Sequence, residues 1–331
     1  MDQANFLGLN GFVWWIGVVE NRLDPLGLGR VQVRIFGHHT ENKIHIPTED
    51  LPWAQPIVPF DSTTKPPTES QWLFGFFIDG KSAQIPYYMG VIPGIPSPLS
   101  DNPQIGFTDP RTINQLTNAP QYYGKPQDRY PLYKGEPTTS RVYRNENVDT
   151  TVIGRINSSL TTGIPTADGN TWDQPQQAYA AIPPYDEVKE TESGHLQEFD
   201  DTPNAERINI AHRTGTYTEM RPDGSKVTKV VSDNYEVIVG NDFVYVEGNC
   251  NLTAKGNLNL QSSGNLNVTI NGNVDMKVNG TYTAKASSFT FDGPINTTST
   301  ITAAGDVIGG GISLDNHVHP YSSGGTTQKP E

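Results

Sequence analysis

Residues 248–280 read GNCNLTAKGNLNLQSSGNLNVTINGNVDMKVNG, with a glycine at every eighth position. The period reaches back one octad, giving Gly240, Gly248, Gly256, Gly264, Gly272 and Gly280. Asn follows five of these, and Thr281 follows the last. With the glycine as position zero, positions two, four and six are apolar or small in 16 of 18 cases, Asp242 and Ser262 excepted. Odd positions are polar in 22 of 24 cases, Phe243 and Tyr245 excepted. Alternation with period two predicts β-strands with one dry face and one wet face.

Gly-Asn is a good two-residue hairpin turn, so a meander of hairpins is the first alternative. It fails on parity. Residues flanking a hairpin turn face each other on one side of the sheet, and here one flank is polar and the other apolar. The side-chain phase instead runs straight through each glycine, so the same face stays inward and the chain winds about an axis. The glycine occupies an inward corner slot, where a Cβ is expected to lack room and unusual dihedrals to be useful. Its Asn neighbour can bond nearby backbone or form ladders with its equivalents. Three short inward side chains per octad make a thin core for one chain. Three chains wound together close a triangular prism whose strand edges are all paired except at the ends. At about 4.8 Å per octad, six octads span about 30 Å, and winding over the whole of 195–319 would give a rod of about 75 Å.

Upstream, FVWWIGVVE, RVQVRIFGHH, WLFGFFIDG and IPYYMGVIPG are strand-like runs separated by turn signals such as DPLGLG. They predict a small barrel over residues 1–95, with the oligonucleotide/oligosaccharide-binding (OB-fold) type leading. Residues 96–191 read as an extended linker: half of the 26 prolines fall between 93 and 184, and neither periodicity is sustained. Its aromatics Tyr122, Tyr123, Tyr130, Tyr133 and Trp172 are expected to tie it down in part. A shaft follows over 192–305, then an apex and tail over 306–331. The fold class is therefore all-β: barrel, linker and intertwined trimeric β-prism with octad repeats.

Composition sets limits. Only 34% of the 331 residues are hydrophobic, with 32 glycines and 26 prolines, which fits polar β segments better than one large conventional core. A net charge of −13 argues against a nucleic-acid partner, which needs a clustered basic surface. The single cysteine, Cys250, forms no intrachain disulfide and reads as a small buried residue in a chain made in a reducing cytosol. The start shows no basic leader or cleavage motif, so no signal peptide is expected, and FVWWIGVV is too short to cross a bilayer as a helix.

The chain ends in GGGISLDNHVHPYSSGGTTQKPE. His317 and His319 alternate, so both rings would face one side of a strand. The spacing alone leaves two readings open: exposed residues of a frayed tail, or metal ligands. If that side is inward on a three-fold axis, three chains supply six imidazoles, which suits an octahedral first-row metal, Fe(II) ahead of nickel or zinc. The other histidines, His38, His39, His45, His195 and His212, show no ligand spacing. Carboxylate pairs for glycoside hydrolysis can be drawn at Glu187 with Glu190 or Asp200 with Asp201, but any acidic segment offers such pairs.

Three parts of the chain resemble the central spike proteins of contractile-tailed phage baseplates. GRVQVRIFGHH with WLFGFFIDGKSAQIPYYMGVIPG is similar to the family's N-terminal barrel. ETESGHLQEFDDTPNAERINIAHRTGTYTEMRPDGS is similar to its entry into the spike, and the octads with LDNHVHPYSSGGTT to its shaft and apex. The resemblance implies a homotrimer in the virion, seated on a hub at the end of the tail tube, whose needle is driven through the host outer membrane. It also implies iron held by His317 and His319 of each chain. Some members carry a lysozyme domain between barrel and spike; residues 93–184 are too few and too proline-rich for one, so no enzyme activity is expected. Rival readings are a depolymerase tailspike, which would need longer coils and an acid-lined groove, the tip of a type VI secretion or phage-derived injection system, and a barrel acting as a simple binding module.

Overall fold

The computed structural model describes residues 12–60, 65–112, 137–320 and 324–328. Tyr122, Tyr123, Tyr130 and Tyr133, and the start of the chain, lie outside them. By its contacts the chain divides into Met1–Leu258 and Asn259–Glu331.

In the first unit, strands β1 (Trp14–Asn21), β2 (Val31–Ile35), β3 (Trp53–Pro56), β4 (Trp72–Phe77) and β5 (Pro86–Val91) close a barrel in the order β1-β2-β3-β5-β4. β1 pairs antiparallel with both β2 and β4, and β3 with β5 is the parallel pairing. Alternation sends Trp15, Val19, Val31, Val33, Ile35, Leu73 and Phe77 into one core. The Tyr88 hydroxyl in that core donates to the Gly29 carbonyl at 2.7 Å. Gly75 is required by contact: a Cβ there would lie 2.2 Å from the Tyr87 carbonyl and 2.3 Å from the Trp15 indole. β2 is buried on both faces. Its Arg34 donates to Glu20 at 2.7 and 3.1 Å and to the carbonyls of Thr40 and Ile46, which satisfies a fully buried guanidinium. Burial opposes ionisation of Glu20, but hydrogen bonds from Arg34 and Thr48 and the charge of Lys43 outweigh it and hold the carboxyl below its usual range.

Residues 137–229 build a second core. Helices α1 (Arg141–Arg144) and α2 (Val152–Asn157) start on Ser140 and Thr151, whose side chains accept the amides of Val142 and Ile153. A two-residue-per-strand ribbon, β6 (Ile164–Pro165) and β7 (Thr171–Trp172), follows. Then β8 (Asp186–Glu190), β9 (Leu196–Asp200), β10 (Arg207–Ala211), β11 (Tyr217–Met220) and β12 (Lys226–Lys229) form an antiparallel sheet in chain order. Val142, Val152, Ile153 and Ile156 pack on Leu196, Ala211 and Tyr217. Much of the expected linker is thus packed structure, and the sheet begins at Asp186, inside that segment. The helices were missed because two turns or fewer carry no readable period.

Winding from about residue 195 is also corrected: residues 196–229 reverse direction at each turn. The cause lies in the turn residues, since Asn204, Gly215 and Gly224 have positive φ (65°, 100° and 79°) and close tight reversals. The octads behave differently. From 231 to 258 the chain runs extended, bending at residues 239–240, 247–248 and 255–256, and it has no strand partner among the described residues. In the second unit, bends at 263–264, 271–272 and 279–280 continue the pattern. It ends in a hairpin of β13 (Ile308–Gly309) and β14 (Ile312–Ser313), turned by Gly310 and Gly311 at φ 58° and 83°.

Candidate functional site

Each octad glycine sits at a bend, yet none has a left-handed φ, and a Cβ on any of the six would meet nothing within 4 Å of its own chain. The expectation of unusual dihedrals is corrected: glycine is not needed there for its φ. Among the described residues, the chain itself supplies no steric need for glycine at these corners. The inward positions between them are exposed, with Val244 at 80%, Leu252 at 75% and Leu260 at 83%. Cys250 is exposed as well, so its expected burial is not met within one chain. Apolar residues thus face water at alternate positions over several octads, more than a single chain ordinarily leaves exposed in one stretch.

The sheet β8–β12 carries the same message in a different form. Its face toward the helices holds, beside Leu196, Ala211 and Tyr217, a buried polar cluster of Asp186, Glu198, Asp200, Arg207, Asn209 and Glu219. Its other face is open and mixed: Phe199, Ile208, Ile210 and Met220 are between 37% and 55% exposed, beside the exposed Glu187, Lys189, Gln197 and Lys226. Arg207 donates to Glu219 at 3.0 Å and to Glu198, and its guanidinium lies 5.2 Å from the Tyr179 ring centre. Asn209 donates to Glu198 at 3.3 Å, and Gln177 to Asn209 at 3.3 Å. Burial pushes the Glu198 carboxyl up despite Arg207. Sequence reasoning missed this cluster. Its signal was there in Glu198 and Asp200, and in Arg207 and Asn209, each pair two residues apart on neighbouring strands.

At the apex, the His317 and His319 ring centres are 5.3 Å apart with planes at 88°. Nδ1–H of His317 donates to the carbonyls of Ser313 at 3.0 Å and Leu314 at 3.2 Å. Those oxygens can only accept, so they fix the proton on Nδ1 and leave Nε2 with a free lone pair, the arrangement common for metal-ligating imidazoles. His319 is pinned through its backbone, which exchanges hydrogen bonds with Thr327 at 2.8 and 2.9 Å. Asp306 accepts the amide of Asp315 at 3.1 Å and closes the loop before the histidines. One chain supplies two imidazoles here, and among the described residues no group of three or more His, Cys, Asp or Glu side chains is gathered for a metal. The donor set therefore fits a metal only if further copies complete it.

The imagined carboxylate pairs face no common space. Asp200 points into the covered face and Asp201 is exposed, while Glu187 is exposed and Glu190 accepts the Ser140 hydroxyl at 2.7 Å. Of the remaining histidines, His39 accepts the Ile35 amide at 2.9 Å, a turn role, and His195 lies 4.4 Å from His212 by ring centres. Among the described residues no helix is long and apolar enough to cross a membrane.

No family model matches the chain. It is 38% identical over 263 residues to Protein Gp5 of Vibrio phage KVP40, a match spanning 71% of this chain and 62% of that protein. Over 74 residues it is 43% identical to the pre-baseplate central spike protein Gp5 of Enterobacteria phage T4, covering 22% of this chain and 13% of that one. The chain thus spans less than two thirds of the length of these relatives. The resemblance to baseplate central spike proteins is borne out: the chain is a homologue of the phage Gp5 proteins, one of which is named as a baseplate central spike.

Proposed function

We propose that this protein is a structural, non-enzymatic central spike of a phage baseplate, built as a homotrimer. The carrying observation is the run of apolar or small alternate positions through the octads, 240 to 286, which bends at each octad glycine and, among the described residues, finds no strand partner in its own chain. Backbone amides and carbonyls in extended segments need partners, and copies of the same segment offer them in register. The inside-out sheet β8–β12 supports the same assembly, since copies meeting on Phe199, Ile208, Ile210 and Met220 remove that face from water. The barrel order β1-β2-β3-β5-β4 supports an OB-fold base, which on this reading seats on a hub at the tube end and makes the protein a virion component.

In the trimer, the octads form the β-prism shaft with the corner glycines at the prism edges, and the apex completes its donor set. His317 and His319 of three chains would hold one Fe(II) through six imidazoles, Nε2 being the donor that the Ser313 and Leu314 contacts leave on His317. Such an ion binds the three chain ends together. The function of the whole is mechanical piercing of a host outer membrane. Load is carried by interchain strand pairing, because parting one chain from the shaft breaks its ladders to two neighbours at once.

Native mass spectrometry of the purified chain tests assembly and metal together. A trimer carrying one iron-sized mass is expected. A metal-free trimer would discard the apex reading, and a monomer would overturn the shaft.

A further inference from the structure

Asp186 and Asp200 stand directly opposite each other on β8 and β9, on the covered face of the sheet. They are 4% and 1% exposed. Neither oxygen of Asp186 has a hydrogen-bond partner, nor has Oδ2 of Asp200, whose Oδ1 accepts the Thr202 amide at 3.0 Å. The charged or titratable groups facing Asp186 are Glu198 and Asp200 from β9, Arg207 from β10 and Tyr179 from the covering segment. Arg207 cannot neutralise the pair. Its two terminal nitrogens are held by Glu198 and Glu219, and its Nε makes no hydrogen bond.

Two unpaired carboxylates side by side in a dry sheet cannot both ionise without a large cost. We propose that the Asp186–Asp200 pair carries one proton, and that this proton clasps the edge strand β8 to the sheet. Burial first, then the charges of Glu198 and Asp200, push the Asp186 carboxyl up to about 7. In an opened strand it returns to the ordinary carboxylate range near 4. The closed form therefore holds a proton that the open form releases. The clasp is at full strength below pH 4 and weakens as pH rises toward 7. Above 7 both forms are ionised and the weakening stops.

The location gives the clasp its consequence. Immediately after β8, Glu192 accepts Arg22 of the barrel strand β1's end at 2.6 and 2.8 Å. Within β8, Glu190 receives the Ser140 hydroxyl that caps α1. Strand β8 is thus the tie between barrel, helices and sheet, and a single proton sets how firmly it stays shut.

Hydrogen–deuterium exchange of the full-length protein tests this, read on peptides covering Asp186–Glu190 from pH 5 to 8 and corrected for intrinsic exchange. Protection should fall about tenfold per pH unit from 5 to about 7 and then level off, the slope one released proton gives. Asp186→Asn should abolish the slope and keep β8 protected at pH 8. Asp200→Asn, which retains the Thr202 contact through its side-chain oxygen, should shift the fall to lower pH by removing a like charge. This second variant keeps the test open if Asp186→Asn fails to fold. A flat wild-type profile, an unchanged slope in Asp186→Asn, or a fall at unchanged pH in Asp200→Asn would overturn the proposal. So would protection at pH 8 that depends on added calcium or magnesium and is lost on chelation, since the pair would then hold a cation.

Discussion

Replacing Arg207 by methionine should open the sheet at its charged face. Methionine keeps an unbranched stem of similar reach, so the change removes charge with little cavity. Arg207, Glu198 and Glu219 have fully buried side chains, and the arginine joins the two acids through a 3.0 Å bond to Glu219 and a close contact to Glu198. Its loss leaves the buried Glu198 with only the Asn209 amide at 3.3 Å, and Glu219 with the Ala178 amide at 3.0 Å and Arg221 at 3.8 Å. Breaking a buried ion pair from one side costs about 3–5 kcal/mol. At about 1.4 kcal/mol per factor of ten, protection of the β10 amides should fall by roughly two to three and a half orders of magnitude at pH 7.5. Glu198 already sits above its usual range, and without Arg207 it rises further. Acid therefore protonates Glu198 and shrinks the deficit, so the loss at pH 5 should be smaller than at pH 7.5. Exchange measured at both pH values on wild type and variant decides the matter. A loss under tenfold at pH 7.5, or an equal loss at the two pH values, would refute the view that Arg207 holds this cluster together.

Three further outcomes are expected. Ile208→Thr with Ile210→Thr keeps β-branching and alters a solvent-facing surface of the single chain, so the sheet should persist in far-UV circular dichroism while trimer dissociation in sedimentation shifts to lower denaturant; about 1 kcal/mol per side chain per copy is at stake. His317→Ala with His319→Ala should remove the metal from the native mass spectrum and leave the trimer, because the shaft is held by its strands; a monomer would mean the apex drives assembly. Gly256→Val meets nothing in its own chain, so any larger loss of trimer than Leu258→Val causes must come from a neighbouring chain at the corner, and equal yields would refute close packing there.

The barrel was legible because its strands obey period two with large apolar residues on one face, as in Val31, Val33 and Ile35. β3 escaped notice: Trp53–Pro56 is four residues long and ends on a proline, which reads as a turn. The bends of the octads followed from side-chain parity, but the role of their glycines did not, since φ cannot be read from spacing. The second core was hidden for a different reason. Its helices are too short to show a period, and its sheet turns charged residues inward, so a hydrophobic reading of β9 and β10 faces them the wrong way. In the apex, the His-x-His spacing was readable, whereas the carbonyl contacts that set the His317 tautomer depend on a hairpin turned by two adjacent glycines.

The open ladders of residues 231–307 have a consequence for how the protein comes to exist in a cell. Until partners arrive, each newly made chain displays long, uncapped strand edges studded with valine, leucine and isoleucine, the kind of segment that recruits any other extended chain. Barrel and helix-covered sheet can mature alone, being closed by their own contacts, but the octads cannot. On the proposed trimer, yield should hinge on how quickly three nascent copies meet: dilute expression favours scavenging by other strands, and dense local synthesis favours correct registration. For this chain, abundance during synthesis is itself a folding condition.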